Sequence, residues 1–342
     1  MNLTSLMFEE AHAAPKAVAD LLASDLGTYE ALGAALRSDP PANIVTIARG
    51  SSDHAAAYFA YLLTVRSGRL VTSMPMSLVT LYHAPLAAQR LLAIAISQSG
   101  RSPDVVEPIR ELRKGGAATI AILNDVAAPL RETAQWVLPL HAGAERSVAA
   151  TKSFICSQVA GARLVAHWCA CDDLQRGLRD LPSALENASS SDWSAAVQPL
   201  AASERLMVIA RGLGLSIAKE AALKLKETCG IQAEAFSSAE VRHGPQALIA
   251  AGYTLFVFAL RGPSQAEVLA FALEMKQRGA NVILAAPADV PERDLTLATT
   301  ASEHLDPIAA IQSFHLLAEA VSRARDRDPD RPPFLNKVTS TR

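Results

Sequence analysis

IVTIARG at residues 44–50 recurs as LMVIARG at 206–212, and Ala-rich helical sequence follows each copy. Arg49 and Arg211 lie 162 residues apart. A second pair, LRKGGAATIAIL around Gly116 and MKQRGANVILAA around Gly279, repeats at a spacing of 163. Two independent matches at nearly one offset indicate a duplicated domain. Within each copy, short β-branched runs alternate with helical stretches, which predicts parallel sheets covered by helices on both faces. Strands are expected near 43–48, 92–97, 118–123 and 136–139, with helices over 53–66 and 103–114. The second copy predicts strands near 206–210, 254–260 and 281–285 and helices over 214–228 and 265–278.

Working outward, residues 1–37 read as helices with Pro15 as a start signal, 38–195 as the first domain and 196–326 as the second. Residues 151–200 read as long helices joined near Asp180–Pro182, and LVAHWCACDDL falls within helix. A last helix spans about 308–325. The tail over 327–342 has no period, and its Phe334, Leu335 and Val338 predict that it docks.

The 342 residues exceed one typical domain of about 100 to 200. Half are apolar and 19% charged, which suits a compact α/β protein and excludes disorder over most of the chain. A net charge of −2 with interspersed signs provides no basic field for nucleic acid. The N-terminus shows no secretory pattern, and no apolar run approaches the roughly 20 residues of a membrane helix, so a cytoplasmic protein is expected. Four cysteines without CxxC pairs read as inert buried thiols, and no metal or cofactor is expected.

Chemistry in open α/β sheets sits beyond the carboxyl ends of the strands, where loops lead into helix N-termini. The first copy has hydroxyls there: Gly50, Ser51 and Ser52 after one strand, and Ser97-Gln98-Ser99-Gly100-Arg101-Ser102 after another. Helix capping is the simpler account of Ser102 alone. The cluster together favours a bound phosphate. In the second copy, Glu220 and Lys224 have the spacing of an ordinary surface pair. Glu227 closes its helix, where the dipole disfavours an anion, and leads into an irregular segment containing His243. A carboxylate and a histidine so placed suit proton transfer, although satisfied surface groups have the same pattern.

ARGSSDHA, SQSGRSPD, AGAERSVAATKSF, EAALKLKETCGIQAEAFSSAEVRHGP and DRPPFLNKVT follow one another in an order that resembles the sugar-isomerase (SIS) family over nearly the whole chain. The match is to the isomerase half of glucosamine-6-phosphate synthase and its free-standing relatives. The resemblance implies two flavodoxin-like SIS domains and a phosphosugar held by Ser52, Ser97, Gln98, Ser99 and Ser102, with backbone contacts near Val148 and Ala149. It also implies a proton shuttle at Glu227, ring opening at His243 donated by the neighbouring subunit of a homodimer, and Lys337 on the open-chain sugar. Ala150, Gly230 and Gln232 depart from the synthase pattern and imply a retuned sugar pocket.

The chain opens on the isomerase half with Asn2 after Met1, so a reaction without glutamine is expected. The implied reaction is deamination of glucosamine 6-phosphate to fructose 6-phosphate and ammonia. Galactosamine 6-phosphate deamination, a deglycase, or a non-catalytic phosphosugar-binding regulator are the alternatives.

Overall fold

The computed structural model describes residues 4–337. The chain begins with helices α1 (Leu6–His12), α2 (Ala14–Ala23) and α3 (Leu26–Ser38). It continues through β1 (Asn43–Ile47), α4 (Gly50–Ser67), β2 (Thr72–Ser73), α5 (Ser77–Thr80), β3 (Leu91–Ser97) and α6 (Pro103–Lys114). Then come β4 (Ala118–Leu123), α7 (Pro129–Thr133), β5 (Trp136–Pro139), α8 (Lys152–Trp168), α9 (Asp172–Ser189) and α10 (Val197–Ala201). The second copy supplies β6 (Arg205–Ala210), α11 (Gly214–Lys224), β7 (Gln232–Ser237), β8 (Thr254–Phe258), α12 (Gln265–Gln277), β9 (Asn281–Ala286), β10 (Leu295–Thr296) and α13 (Asp306–Ala324).

The two sheets run β2-β1-β3-β4-β5 and β10-β9-β8-β6-β7, and every pairing is parallel. Renumbered within its copy, the second order is the first one reversed in direction. Both are therefore the doubly wound order 2-1-3-4-5 of flavodoxin-like sheets. The duplication expected from the repeats is present in the topology.

The chain divides into two compact units. One comprises residues 16–145, 152–179 and 336–337 and contains the first sheet. All seven residues of β3 and five of the six in β4 are buried, as a sheet covered on both faces requires. Helix α8 is buried on nearly every side, and Gly161 lets it approach α4, since a Cβ there would lie 3.2 Å from Phe59 Cβ. The other unit comprises residues 4–15, 146–151 and 180–335 and contains the second sheet. Its core includes Phe256, Phe258 and Phe314, whose rings pack edge to face or tilted.

Several expectations need correction. The break between the long helices lies at Cys169–Cys171, where Ala170 is left-handed, whereas Pro182 is carried inside α9. LVAHWCACDDL is therefore a helix end and a turn, and Cys169 and Cys171 are half-buried. Strand β7 arises from QAEAFS, whose mixed composition conceals an edge strand of the second sheet, and the short edge strands β2 and β10 carry too few residues to show a period. The tail is not held by Phe334 and Leu335, which are both exposed, and Val338 lies outside the described residues. Its anchor is polar: Asp330 accepts the Leu6 and Met7 backbone N–H groups, each at 2.7 Å, at the start of α1. No helix among the described residues is long and apolar enough to cross a membrane.

Gly100 is left-handed at φ +62, and a Cβ there would fall 2.8 Å from Ala128 Cβ. Gly100→Ala is expected to cost about 1–3 kcal/mol from backbone strain and overlap. Urea denaturation measures this, and an unchanged midpoint would show that the loop relaxes freely.

Candidate active site

In the first-sheet unit, the strand order reverses between β1 and β3, so the loops after these strands leave in opposite directions and open a crevice. Gly50, Ser51 and Ser52 form the first turn of α4 at this crevice, with Gly50 at φ +53. Ser97 ends β3, and Ser102 occupies the N-cap of α6 with Pro103 after it. Arg49 Nε donates to Asp104 Oδ2 at 2.9 Å, tying the loop after β1 to the first turn of α6. The second copy repeats the device with Arg211 and Glu267 at 2.8 Å.

Within the serine loop, Gly100 N–H donates to Ser97 Oγ at 2.9 Å and Arg101 N–H to Ser99 Oγ at 3.4 Å. Both hydroxyl oxygens act as acceptors, so each hydroxyl hydrogen can still be given to an anion. Ser102 makes no side-chain cap to α6, which removes the capping account of this residue. The α6 N-terminus adds its positive dipole end. The equivalent loop of the second copy is built differently: Arg261 grips both Asp306 oxygens at 2.7 Å and the Thr300 carbonyl.

Also in the first-sheet unit, Lys337 Nζ lies 3.3 Å from Glu145 Oε2. The Glu145 side chain is fully buried and accepts the Ser153 N–H at 3.1 Å and the Ser153 hydroxyl. Glu145 stands within AGAERSVAATKSF, yet the sequence alone assigned it no role.

The second-sheet unit holds Val148, Ala149, Glu227 and His243. Ala149 is buried and Val148 half-buried, and the Val148 N–H donates to the Asp330 carbonyl at 3.4 Å. Glu10 of α1 supports the same loop, accepting Arg146 N–H at 2.5 Å and Ser147 N–H at 3.2 Å. His243 is exposed at the end of a 3-10 turn, Glu240–His243.

Glu227 lies in a π-helical turn, Leu225–Cys229, that continues α11. Such widened turns concentrate at functional sites because they displace one side chain from the regular helical rows. Glu227 Oε2 accepts from Lys224 Nζ at 2.6 Å, and its side chain is 22% exposed. Lys224 itself is 1% exposed, and Glu220, with no exposure, lies 3.3 Å away on the other side of the ammonium. The surface pair expected for Glu220 and Lys224 is thus overturned. IAKEAALKL sets Glu220 and Lys224 among small and apolar residues, a signal of burial on that side of the helix that is present in the sequence, while Lys219 is exposed. Burial by itself would lower the Lys224 pKa, but Glu220 and Glu227 together hold it above the usual lysine range. His315 of α13, also fully buried, comes within 4.0 Å of the same Glu220 oxygen.

A family model described as the SIS domain matches residues 39–166 and 199–318, one stretch for each sheet. The chain belongs to the SIS-domain family. The isomerizing glutamine–fructose-6-phosphate aminotransferase of Aeropyrum pernix is 34% identical over 98% of this chain. This chain spans only 57% of that relative's length. A candidate phosphosugar isomerase from Silicibacter pomeroyi superimposes with a TM-score of 0.90 at 37% identity, covering 96% of this chain and all of that one. Glucosamine-6-phosphate deaminase from Thermotoga maritima shares the fold, with a TM-score of 0.79 at 19% identity over 98% of this SIS protein and 100% of its own chain.

Lys224→Met strands two buried carboxylates and is expected to destabilise the fold by about 3–5 kcal/mol. The exposed neighbour Lys226, changed to Met, should stay within about 0.5 kcal/mol of wild type. Equal losses in a denaturation experiment would show that the Lys224 cluster is not the buried ion set described.

Proposed function

We propose that this chain is an aldose–ketose isomerase of hexose 6-phosphates, and that it converts glucosamine 6-phosphate and water to fructose 6-phosphate and ammonia. The observation that carries the reading is Glu227: a half-buried carboxylate in a π turn, with one oxygen on a buried ammonium and the other without a protein partner among the described residues. Moving a proton between C1 and C2 of an open-chain sugar needs such a base. The sugar class is supported by the Aeropyrum pernix relative, whose name specifies fructose 6-phosphate.

In this reading, Ser52, Ser97, Gln98, Ser99 and Ser102 hold the phosphate with neutral donors and the α6 dipole. His243, exposed and donated by a second copy of the chain in a homodimer, assists ring opening. Glu227 takes the C2 proton of the aldehyde form and returns it to C1. With an amino group on C2, the product of that transfer is a C2 imine. Water adds to it, the C–N bond breaks, and ammonia leaves. Lys337, resting on Glu145, supplies an ammonium for the sugar oxygens of the open chain.

Incubation of purified protein with a panel of hexosamine 6-phosphates, reading ammonia and ketose 6-phosphate, tests the proposal. Production of both from glucosamine 6-phosphate is expected, and the absence of turnover on every member would overturn it. Glu227→Gln should lower kcat by about 10² to 10⁴ while sugar phosphate still binds. Replacing Ser97 and Ser99 together by Ala should raise KM far more than it lowers stability, and unchanged affinity would place the phosphate elsewhere.

A further inference from the structure

Beyond Glu227 and the Lys224 ammonium that contacts it, this cluster holds a second, fully buried carboxylate, Glu220. An ammonium has three N–H donors, and water barely reaches Lys224 at 1% exposure. Were Glu227 its sole anionic partner, attraction in this weakly screened place would draw both Glu227 oxygens onto it. Glu220 divides that pull. Lys224 Nζ lies 2.6 Å from Glu227 Oε2 and 3.3 Å from Glu220 Oε1, and Glu227 Oε1 remains without a protein partner among the described residues. His315 approaches the Glu220 oxygen from α13 at 4.0 Å.

We propose that Glu220 is a positioning residue for the isomerisation: by sharing the Lys224 ammonium it keeps one oxygen of Glu227 available to the sugar carbon. The proposal rests on the isomerase reading for the role of Glu227. Other charged groups on the surrounding elements are poorly placed to substitute. Lys219 on α11, Lys226 in the π turn, Arg205 on β6 and Glu234 on β7 are exposed. On α13, Glu319 is engaged by Ser5 at 2.7 Å and Asp306 by Arg261 at 2.7 Å. A change confined to Glu220 therefore alters the ammonium's partners without an obvious replacement.

Glu220→Gln keeps the shape and removes the charge. The expected result is a kcat about ten- to a hundredfold lower with KM within about twofold, because the base is misplaced while phosphate binding is untouched. Glu220→Asp should recover part of the lost kcat. Wild-type kcat in folded Glu220→Gln would overturn the proposal. Should that variant fail to fold, Glu220→Asp carries the test: kcat is expected to fall with KM unchanged, and retention of full kcat overturns the role. A second measurement needs no turnover. With lysine labelled at the ε-carbon, NMR should show Lys224 losing its proton at lower pH in Glu220→Gln than in wild type, since an attracting carboxylate is gone. An identical titration would show that Glu220 does not share the ammonium. If wild-type protein turns over no hexose 6-phosphate, the isomerase reading fails by itself, and the Lys224 titration still decides whether Glu220 shares the charge.

Discussion

The parallel strand order governs the rest of this protein. Right-handed crossovers between parallel strands place a connection that moves to one side of the first strand on one face, and a connection that moves to the other side on the opposite face. At the reversal, two strand ends are left with their loops turned away from each other, and each feeds a helix N-terminus. Arg49 with Asp104 in one copy, and Arg211 with Glu267 in the other, fasten the two loops across the reversal. The repeat at 44–50 and 206–212 preserves the arginine for that structural task as well as the strand before it.

The two copies share this frame and diverge in what fills it. In the first, the loop after β3 offers the Ser97 and Ser99 hydroxyls, whose oxygens accept backbone N–H groups and whose hydrogens remain available to donate. In the second, the corresponding loop invests its one guanidinium in Asp306 and the Thr300 carbonyl, which stiffens the unit and leaves little for a ligand. A duplicated fold can thus separate binding from structure without altering its topology. Fold by itself does not specify function, and the distinction lies in these few side chains.

Charge is also buried beside the proposed base. Lys224, Glu220 and His315 are withdrawn from water inside a helix layer that an all-apolar sequence would have packed with less desolvation. The cysteines show the opposite, inert use of burial. Cys229 is pushed up to about 11 chiefly by loss of water, far from a reactive thiolate, and Cys169 likewise to about 11.

By itself, the sequence determined the duplication, the parallel α/β class, most strands and helices, and the serine loop, because internal repeats, period and helix-start residues are local signals. SQSGRSPD reads as a strand end, a turn and a helix start without any tertiary information. What only the tertiary structure decided are relations between residues distant in the chain or hidden by composition. Strand β7 has no clean alternation, and its place beside β6 depends on pairing rather than propensity. The helix break at Cys169–Cys171 overrides Pro182, since a proline can be carried inside α9 when packing maintains the helix. The tail is anchored by Asp330 on the N–H groups of α1, a contact across more than 300 residues that no local pattern encodes. Spacing of four residues placed Glu220 beside Lys224 but could not tell an exposed pair from a buried one, because that depends on what the rest of the chain lays over the helix.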